Sequence, residues 1–201
     1  MRQPAGVILA GGRATRMGGG DKGLLSLGGE SLLSRVIDRL APQVDRIALN
    51  ANGDTARFSE FGLPVVSDSI AEFPGPLAGV LAGLDWAASQ GFDAIVTAAA
   101  DTPFFPLDLV PQLQLAGEGM DHPLVLAVTD DGRHPTFGLW PVALRDDLRA
   151  ALTDGLRKVV LWTDRHDGRE ALFPVDGFDP FFNINTPEDL EMAESLTGQR
   201  A

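Results

Sequence analysis

Lys22 closes a stretch dominated by glycine and cation: Leu9-Ala10-Gly11-Gly12-Arg13-Ala14-Thr15-Arg16-Met17-Gly18-Gly19-Gly20-Asp21-Lys22-Gly23. A packed core does not need such a composition, and a helix interior is weakened by it, because glycine gives up the most backbone freedom on ordering. Anion binding does suit it. Bare backbone N–H groups can cradle phosphate oxygens, and Arg13, Arg16 and Lys22 can neutralise a triphosphate. The charge distribution points the same way. The 201 residues carry a net charge of −12, yet Arg2, Arg13, Arg16 and Lys22 face only Asp21 in the first 23. A solvated loop is the competing account, and concentrated cation in an acidic chain argues against it.

Two common phosphate loops do not fit. A Walker A loop has glycine before its lysine and serine or threonine after it; here Asp21 precedes and Gly23 follows Lys22. The dinucleotide fingerprint G-x-G-x-x-G is not matched by Gly11, Gly12 and Gly18. A long glycine-rich loop after a strand remains.

Asp68 and Asp101 each follow an apolar run that reads as a strand. Ligands of open α/β sheets bind along the carboxyl edge of the strands. Nucleoside triphosphates arrive with Mg²⁺, which takes carboxylate oxygen and keeps several waters. The competing account makes both residues turn formers or helix caps. His122, His134 and His166 are the only histidines, and no two have metal-ligand spacing. No Ser-His-Asp arrangement can be read from the sequence either.

The elements that must position these residues follow from periodicity. Gly6–Ala10, 46–50, 63–66 and Ala94–Ala98 read as strands. Helices are expected behind Ser31 as N-cap, from Pro76 in Gly75-Pro76-Leu77-Ala78-Gly79, and over 107–115. The order β-α-β-β-α-β-α implies a mostly parallel sheet covered on both faces. In the second half, 124–128 and 136–140 read as strands around the turn Asp130-Asp131-Gly132. Helices are expected over 143–152 and 157–162, a last strand over 172–175, and a closing helix behind Thr186-Pro187-Glu188-Asp189. The expected fold is one α/β domain of three layers spanning residues 1–201. Its first half, 1–115, would hold nucleotide, and its second half, 116–201, would hold the other substrate.

The remaining totals exclude several classes. The acidic balance argues against nucleic acid. No apolar run approaches a membrane span. With no cysteine there is neither disulfide nor thiolate metal site. The start of the chain has too few apolar residues for a secretory signal, so a cytoplasmic protein is expected.

The pattern L-A-G-G-x-x-x-R-M-G-G-x-D-K-G resembles the opening of the molybdenum cofactor guanylyltransferases, the MobA family, within the glycosyltransferase-A-like nucleotidyltransferases. The resemblance continues at Asn50-Ala51-Asn52, Asp68-Ser69, Gly75-Pro76-Leu77-Ala78-Gly79 and Asp101-Thr102-Pro103. His134-Pro135-Thr136 and Asn183-Ile184-Asn185-Thr186-Pro187-Glu188 complete it, in order and over nearly the whole chain.

The resemblance implies a Rossmann-like nucleotidyltransferase fold and transfer of GMP from GTP to the terminal phosphate of the molybdopterin cofactor. It implies that Leu9, Ala10, Gly11, Gly12, Lys22, Asn50, Asp68 and Asp101 bind nucleotide. Asp101 would hold Mg²⁺, and Lys22, Asp101 and Arg16 would carry the chemistry. Asn183, Asn185 and His134 are candidates for the pterin side, and Arg157-Lys158 falls in a region where the family often has a basic pair. Cofactor-delivery proteins or acceptor molybdoenzymes are conceivable partners. Three alternatives stay open at this point: a molybdopterin cytidylyltransferase, a sugar-1-phosphate nucleotidyltransferase, and a nucleotide-binding regulatory module without turnover. The cytidylyltransferases usually have L-A-A-G where this chain has Leu9-Ala10-Gly11-Gly12, and the missing Cβ at Gly11 leaves room for a purine.

Overall fold

The computed structural model describes residues 3–11, 21–70 and 75–198. Its centre is a seven-stranded sheet in the order β5-β4-β1-β6-β8-β7-β9. The strands are β1 (Ala5–Leu9), β4 (Ile47–Asn50), β5 (Val65–Val66), β6 (Ala94–Ala99), β7 (Val125–Thr129), β8 (Gly132–Pro141) and β9 (Arg169–Leu172). β8 alone runs against the rest. β1 pairs with β4 on one side and with β6 on the other. The chain therefore reverses its direction of travel across the sheet at β1, and this reversal opens a crevice beyond the carboxyl ends of β1 and β6.

Alternation along the strands builds the two faces. Val7 and Ile95 point to one side, into a core with Leu81 and Leu84 of α2 (Pro76–Ser89), Leu148 of α4 (Arg145–Thr153) and Trp162 of α5 (Val159–Arg165). Ile8, Val96 and Ala98 point to the other, against Leu33 and Val36 of α1 (Leu32–Leu40) and Val110 and Leu113 of α3 (Leu109–Ala116). α2 lies close on the sheet because Gly79 and Gly83 carry no Cβ. A methyl at either would run into Leu9 or Val7 of β1. The single sheet crosses both halves of the chain, and helices cover both sides.

Caps fall where the side chains favour them. Ser31 accepts a hydrogen bond from the Ser34 amide at 3.0 Å and starts α1. At α6 (Pro187–Gly198), Thr186 Oγ1 accepts from the Asp189 amide, and Asp189 accepts in return from the Thr186 amide at 2.9 Å.

Several boundaries differ from expectation. The last strand is 169–172, not 172–175. Residues 172–175 alternate exposed and buried only briefly, and pairing with β7 sets the register: Ala171 is buried while Leu172 is 65% exposed. The strand expected over 63–66 shrinks to Val65–Val66, and the helix over 157–162 moves to Val159–Arg165. A small hairpin, β2 (Ser26–Leu27) with β3 (Glu30–Ser31), follows the glycine-rich loop and was not expected. Its Leu27 packs with Leu32, Ile184 and Ala193, so it fastens the segment before α6 to the start of α1. β8 is longer than expected and contains Pro135. The β7–β8 pairing passes from Leu126–Gly138 to Ala127–His134 and skips residues 135–137. Proline cannot donate to a ladder, and a bulge is where a sheet tolerates it.

Candidate active site

The crevice at the end of β1 and β6 is a cavity of about 430 Å³. Its floor is Leu9-Ala10-Gly11 from β1 and Ala99-Ala100-Asp101 from β6. Gly12, Arg13 and Arg16 lie outside the described residues.

Asn50, Asn52 and Asp68 form one wall. Asn50 ends β4 nearly buried and donates its amide to Asp68 Oδ1 at 2.9 Å and to the Val66 carbonyl at 3.2 Å. Asn52 grips Asp68 twice: it donates to Oδ2 at 2.7 Å, and its side-chain oxygen accepts from the Asp68 amide at 2.9 Å. Asp68 is thus held as an oriented pair of acceptors. Gly79 makes this wall possible, because the Asn50 amide occupies the space a Cβ there would need.

Lys22 and Asp101 form the opposite wall. Lys22 Nζ lies 3.4 Å from Asp101 Oδ2 and donates to the side-chain oxygen of Asn185. Burial pushes the Asp101 carboxyl above the usual carboxylate range, and the charge and hydrogen bond of Lys22 only partly offset it. The Asp101 carbonyl accepts from the Ile184 amide at 2.9 Å, which draws the segment 183–185 to this wall. Ile184 is buried, as its place between two asparagines suggests, and Asn183 lines the cavity.

A match to the family model described as MobA-like NTP transferase domain runs from residue 6 to residue 168, across β1, the loop, both walls and β8. The chain belongs to the MobA-like NTP transferase family. A molybdenum cofactor guanylyltransferase of Rhodopseudomonas palustris is 54% identical over 193 residues, covering 94% of this chain and 92% of that protein. One of Mesorhizobium japonicum is 52% identical over 202 residues, covering 97% and 96%. The solved molybdopterin-guanine dinucleotide biosynthesis protein A of Archaeoglobus fulgidus superposes with a TM-score of 0.74 at 25% identity, over 97% of this chain and 99% of that one. A 4-diphosphocytidyl-2C-methyl-D-erythritol synthase of Anaerococcus prevotii shares the fold at 15% identity and a TM-score of 0.73.

In this MobA-like transferase the other expected site residues are placed as follows. His134 stacks on Phe181 with ring centroids 4.3 Å apart, and its Nε2 lies 2.9 Å from Thr129 Oγ1. It does not line the cavity; Thr136, two residues on and inside the bulge, does. Burial lowers the His134 pKa below the ordinary histidine value. Arg157 donates to the Leu152 and Leu156 carbonyls at 3.2 and 2.9 Å and so closes α4, while Lys158 caps α5. Neither lines the cavity. His122 is exposed and His166 pairs with Asp147 at 2.7 Å. Sequence reasoning did not assign roles to Asn52, Gly23 or Thr136, all of which line the cavity. Asn52 was within reach, since it shares a face with Asn50 in an extended segment.

A divalent ion fits these residues in one way only. Among the described residues no group of three or more histidine, cysteine or carboxylate side chains is gathered to hold a metal. Asp101 is a single carboxylate beside the Lys22 ammonium, and the cavity's other carboxylate, Asp68, is taken up by Asn50 and Asn52. That suits Mg²⁺ bound by one carboxylate with phosphate oxygens and water completing the shell, and it does not suit an all-protein cage.

Proposed function

We propose that this MobA-like transferase moves GMP from GTP to the terminal phosphate of the molybdopterin cofactor, forming the guanine dinucleotide cofactor and pyrophosphate. The observation that carries this reading is the Lys22–Asp101 pair, 3.4 Å apart, facing Asp68 and its two asparagines across one cavity. Relatives that cover nearly the whole chain at more than half identity bear the guanylyltransferase name.

The bond that forms joins a phosphate oxygen of the pterin to the α-phosphorus of GTP; the bond that breaks joins that phosphorus to the β-phosphate bridge. The attacking group is a phosphate monoester, already anionic at neutral pH, so no general base is required. The barrier is the approach of two polyanions, which positioning and charge neutralisation lower. Lys22 supplies a point charge to the triphosphate. The Gly11 backbone leaves room for the nucleoside, and Asp68, fixed as an acceptor, meets donors on the nucleotide. Asp101 would hold Mg²⁺, which when bound would supply positive charge to the reacting and leaving phosphates. Asn183, which lines the cavity, and Asn185, which is bonded to Lys22, supply amides to the incoming pterin. No helix of the described residues is long and apolar enough to cross a membrane.

The test is a melting-temperature screen of the four nucleoside triphosphates with Mg²⁺, followed by pyrophosphate release on adding molybdopterin. A ligand of the folded state stabilises it by about 2.7 kcal/mol at a hundred times its dissociation constant. GTP should give the largest shift and pyrophosphate should appear. A larger shift with CTP would transfer the assignment to cytidylyl transfer, and binding without pyrophosphate would leave a nucleotide sensor.

A further inference from the structure

We propose that Arg57 is a positioning residue of this site: one guanidinium braces both walls and so fixes the separation of Lys22 from Asp68. The proposal rests on reading the cavity as a nucleotide site.

Arg57 sits outside the cavity, in a 3₁₀ helix (Thr55–Phe61) that the Asp54 side chain caps through the Ala56 amide at 2.9 Å. Its Nε and Nη2 donate to the two carboxylate oxygens of Asp21, the residue before Lys22. Nη2 also donates to the Asn52 carbonyl at 2.9 Å, and Nη1 donates to the Asp54 carbonyl. The guanidinium lies 4.5 Å from the centre of the Phe58 ring, and Phe58 is buried. Asp21 and Arg57 side chains are only 17% and 25% exposed.

The consequence follows from what each contact holds next. Asp21 carries Lys22, whose ammonium reaches Asp101 and Asn185. Asn52 carries Asp68 through two hydrogen bonds. Lys22 opens a 3₁₀ helix of only three residues (Lys22–Leu24). Asn52 stands beyond the end of its strand. Neither critical residue lies within the central sheet, and Arg57 supplies a common anchor. Only a planar fork of donors can serve acceptors in three directions. A lysine ammonium has three donors on a single nitrogen and cannot reach all four of these acceptors at once.

Arg57→Gln, Arg57→Lys and Asp21→Asn test this with three readouts: amide hydrogen exchange without nucleotide, Mg·GTP affinity, and kcat and KM. In Arg57→Gln, exchange should rise together across residues 21–25 and 50–54. GTP affinity and kcat/KM should fall about tenfold, the order expected when a charged hydrogen-bond partner is removed. Arg57→Lys should restore the melting temperature in part and the affinity little. Because Arg57 acts in part through Lys22, adding Arg57→Gln to Lys22→Ala should cost less than Arg57→Gln costs the parent. Asp21→Asn, a milder change, should shift exchange and affinity in the same direction if Arg57→Gln folds poorly. The brace is overturned if exchange at 21–25 stays unchanged, or if the melting temperature falls while GTP affinity and kcat/KM remain at the wild-type level. It is also overturned if the two losses multiply in the double variant. Coupled exchange changes in a protein that binds no GTP even as wild type would keep the brace and remove the nucleotide reading instead.

Discussion

The side-chain oxygen of Asn50 fills the space that a Cβ on Gly79 would occupy. The wall of Asn50, Asn52 and Asp68 and helix α2 therefore share one volume. Gly79→Ala gains about 1 kcal/mol of helix propensity but must push back either Asn50 or Leu9, an overpacking cost of about 1–3 kcal/mol. The melting temperature should drop, and Mg·GTP affinity should drop further because Asn50 holds Asp68. Calorimetric titration alongside thermal melting checks both. A variant that melts lower but binds GTP normally would separate Asn50 from nucleotide binding.

Gly11 behaves differently, since it lines the cavity and a Cβ there meets no atom of the described residues within 4 Å. Gly11→Ala should melt like the parent and lose GTP affinity more than CTP affinity. Equal losses for the two nucleotides would refute the size argument for purine choice.

Asp101 links the site to pH. Its carboxyl is raised by burial, with Lys22 opposing, so the folded protein binds that proton more tightly than the unfolded chain does. This group then costs stability as pH rises from the unfolded value through the folded one. Asp101→Asn should accordingly melt at least as high as the parent at pH 7, with the advantage shrinking toward pH 4. The same variant should abolish turnover yet retain measurable GTP affinity, whereas Lys22→Ala should weaken both. Near-normal turnover of Asp101→Asn at saturating Mg²⁺ would remove the metal role.

Asn183 and Asn185 should part company. Asn185 accepts from Lys22, whereas Asn183 lines the open cavity. Asn185→Ala is expected to lower GTP affinity as well as pterin binding; Asn183→Ala is expected to lower pterin binding alone. Separate titrations with GTP and molybdopterin decide this. A lower melting temperature with unchanged affinity for both ligands would make the residues purely structural.

His134 carries the opposite pH dependence to Asp101. Burial lowers its pKa, so its contribution to stability is complete at neutral pH and is lost as pH falls below the unfolded value of about 6.5. In His134→Gln, the drop in melting temperature between pH 7.5 and 5.5 should be smaller than in the parent. An equal or steeper drop would place the acid sensitivity elsewhere.

Local chemistry was legible in the sequence, and distant pairing was not. Val7 and Ile8 announce a strand buried on both faces, Ser31 and Thr186 announce their helices, and Asp101 follows its strand into the crevice as expected. The register of β9 was missed because a four-residue strand carries too little alternation to fix which residues face inward. The bulge that presents Thr136 was missed because it arises from a mismatch between two strands, although Pro135 marks the place. The contacts of Lys22 with Asn185 and of Arg57 with Asp21 leave no periodic trace. They depend on loops brought together by the sheet, and their separations, 163 and 36 residues, exceed anything a local pattern reports.

That first separation has a consequence for synthesis. At about 5–20 residues per second on the ribosome, Lys22 emerges roughly 8 to 30 seconds before Asn185. During that interval β1, β4 and β6 can already pair, but the Asn185 acceptor for the Lys22 ammonium and the Ile184 amide that holds the Asp101 carbonyl do not yet exist. Ile184 and Ala193 then close over Leu27 and Leu32 as α6 docks. The contact of Lys22 with Asn185 is thereby among the last of the cavity to close, after every lining residue has been made.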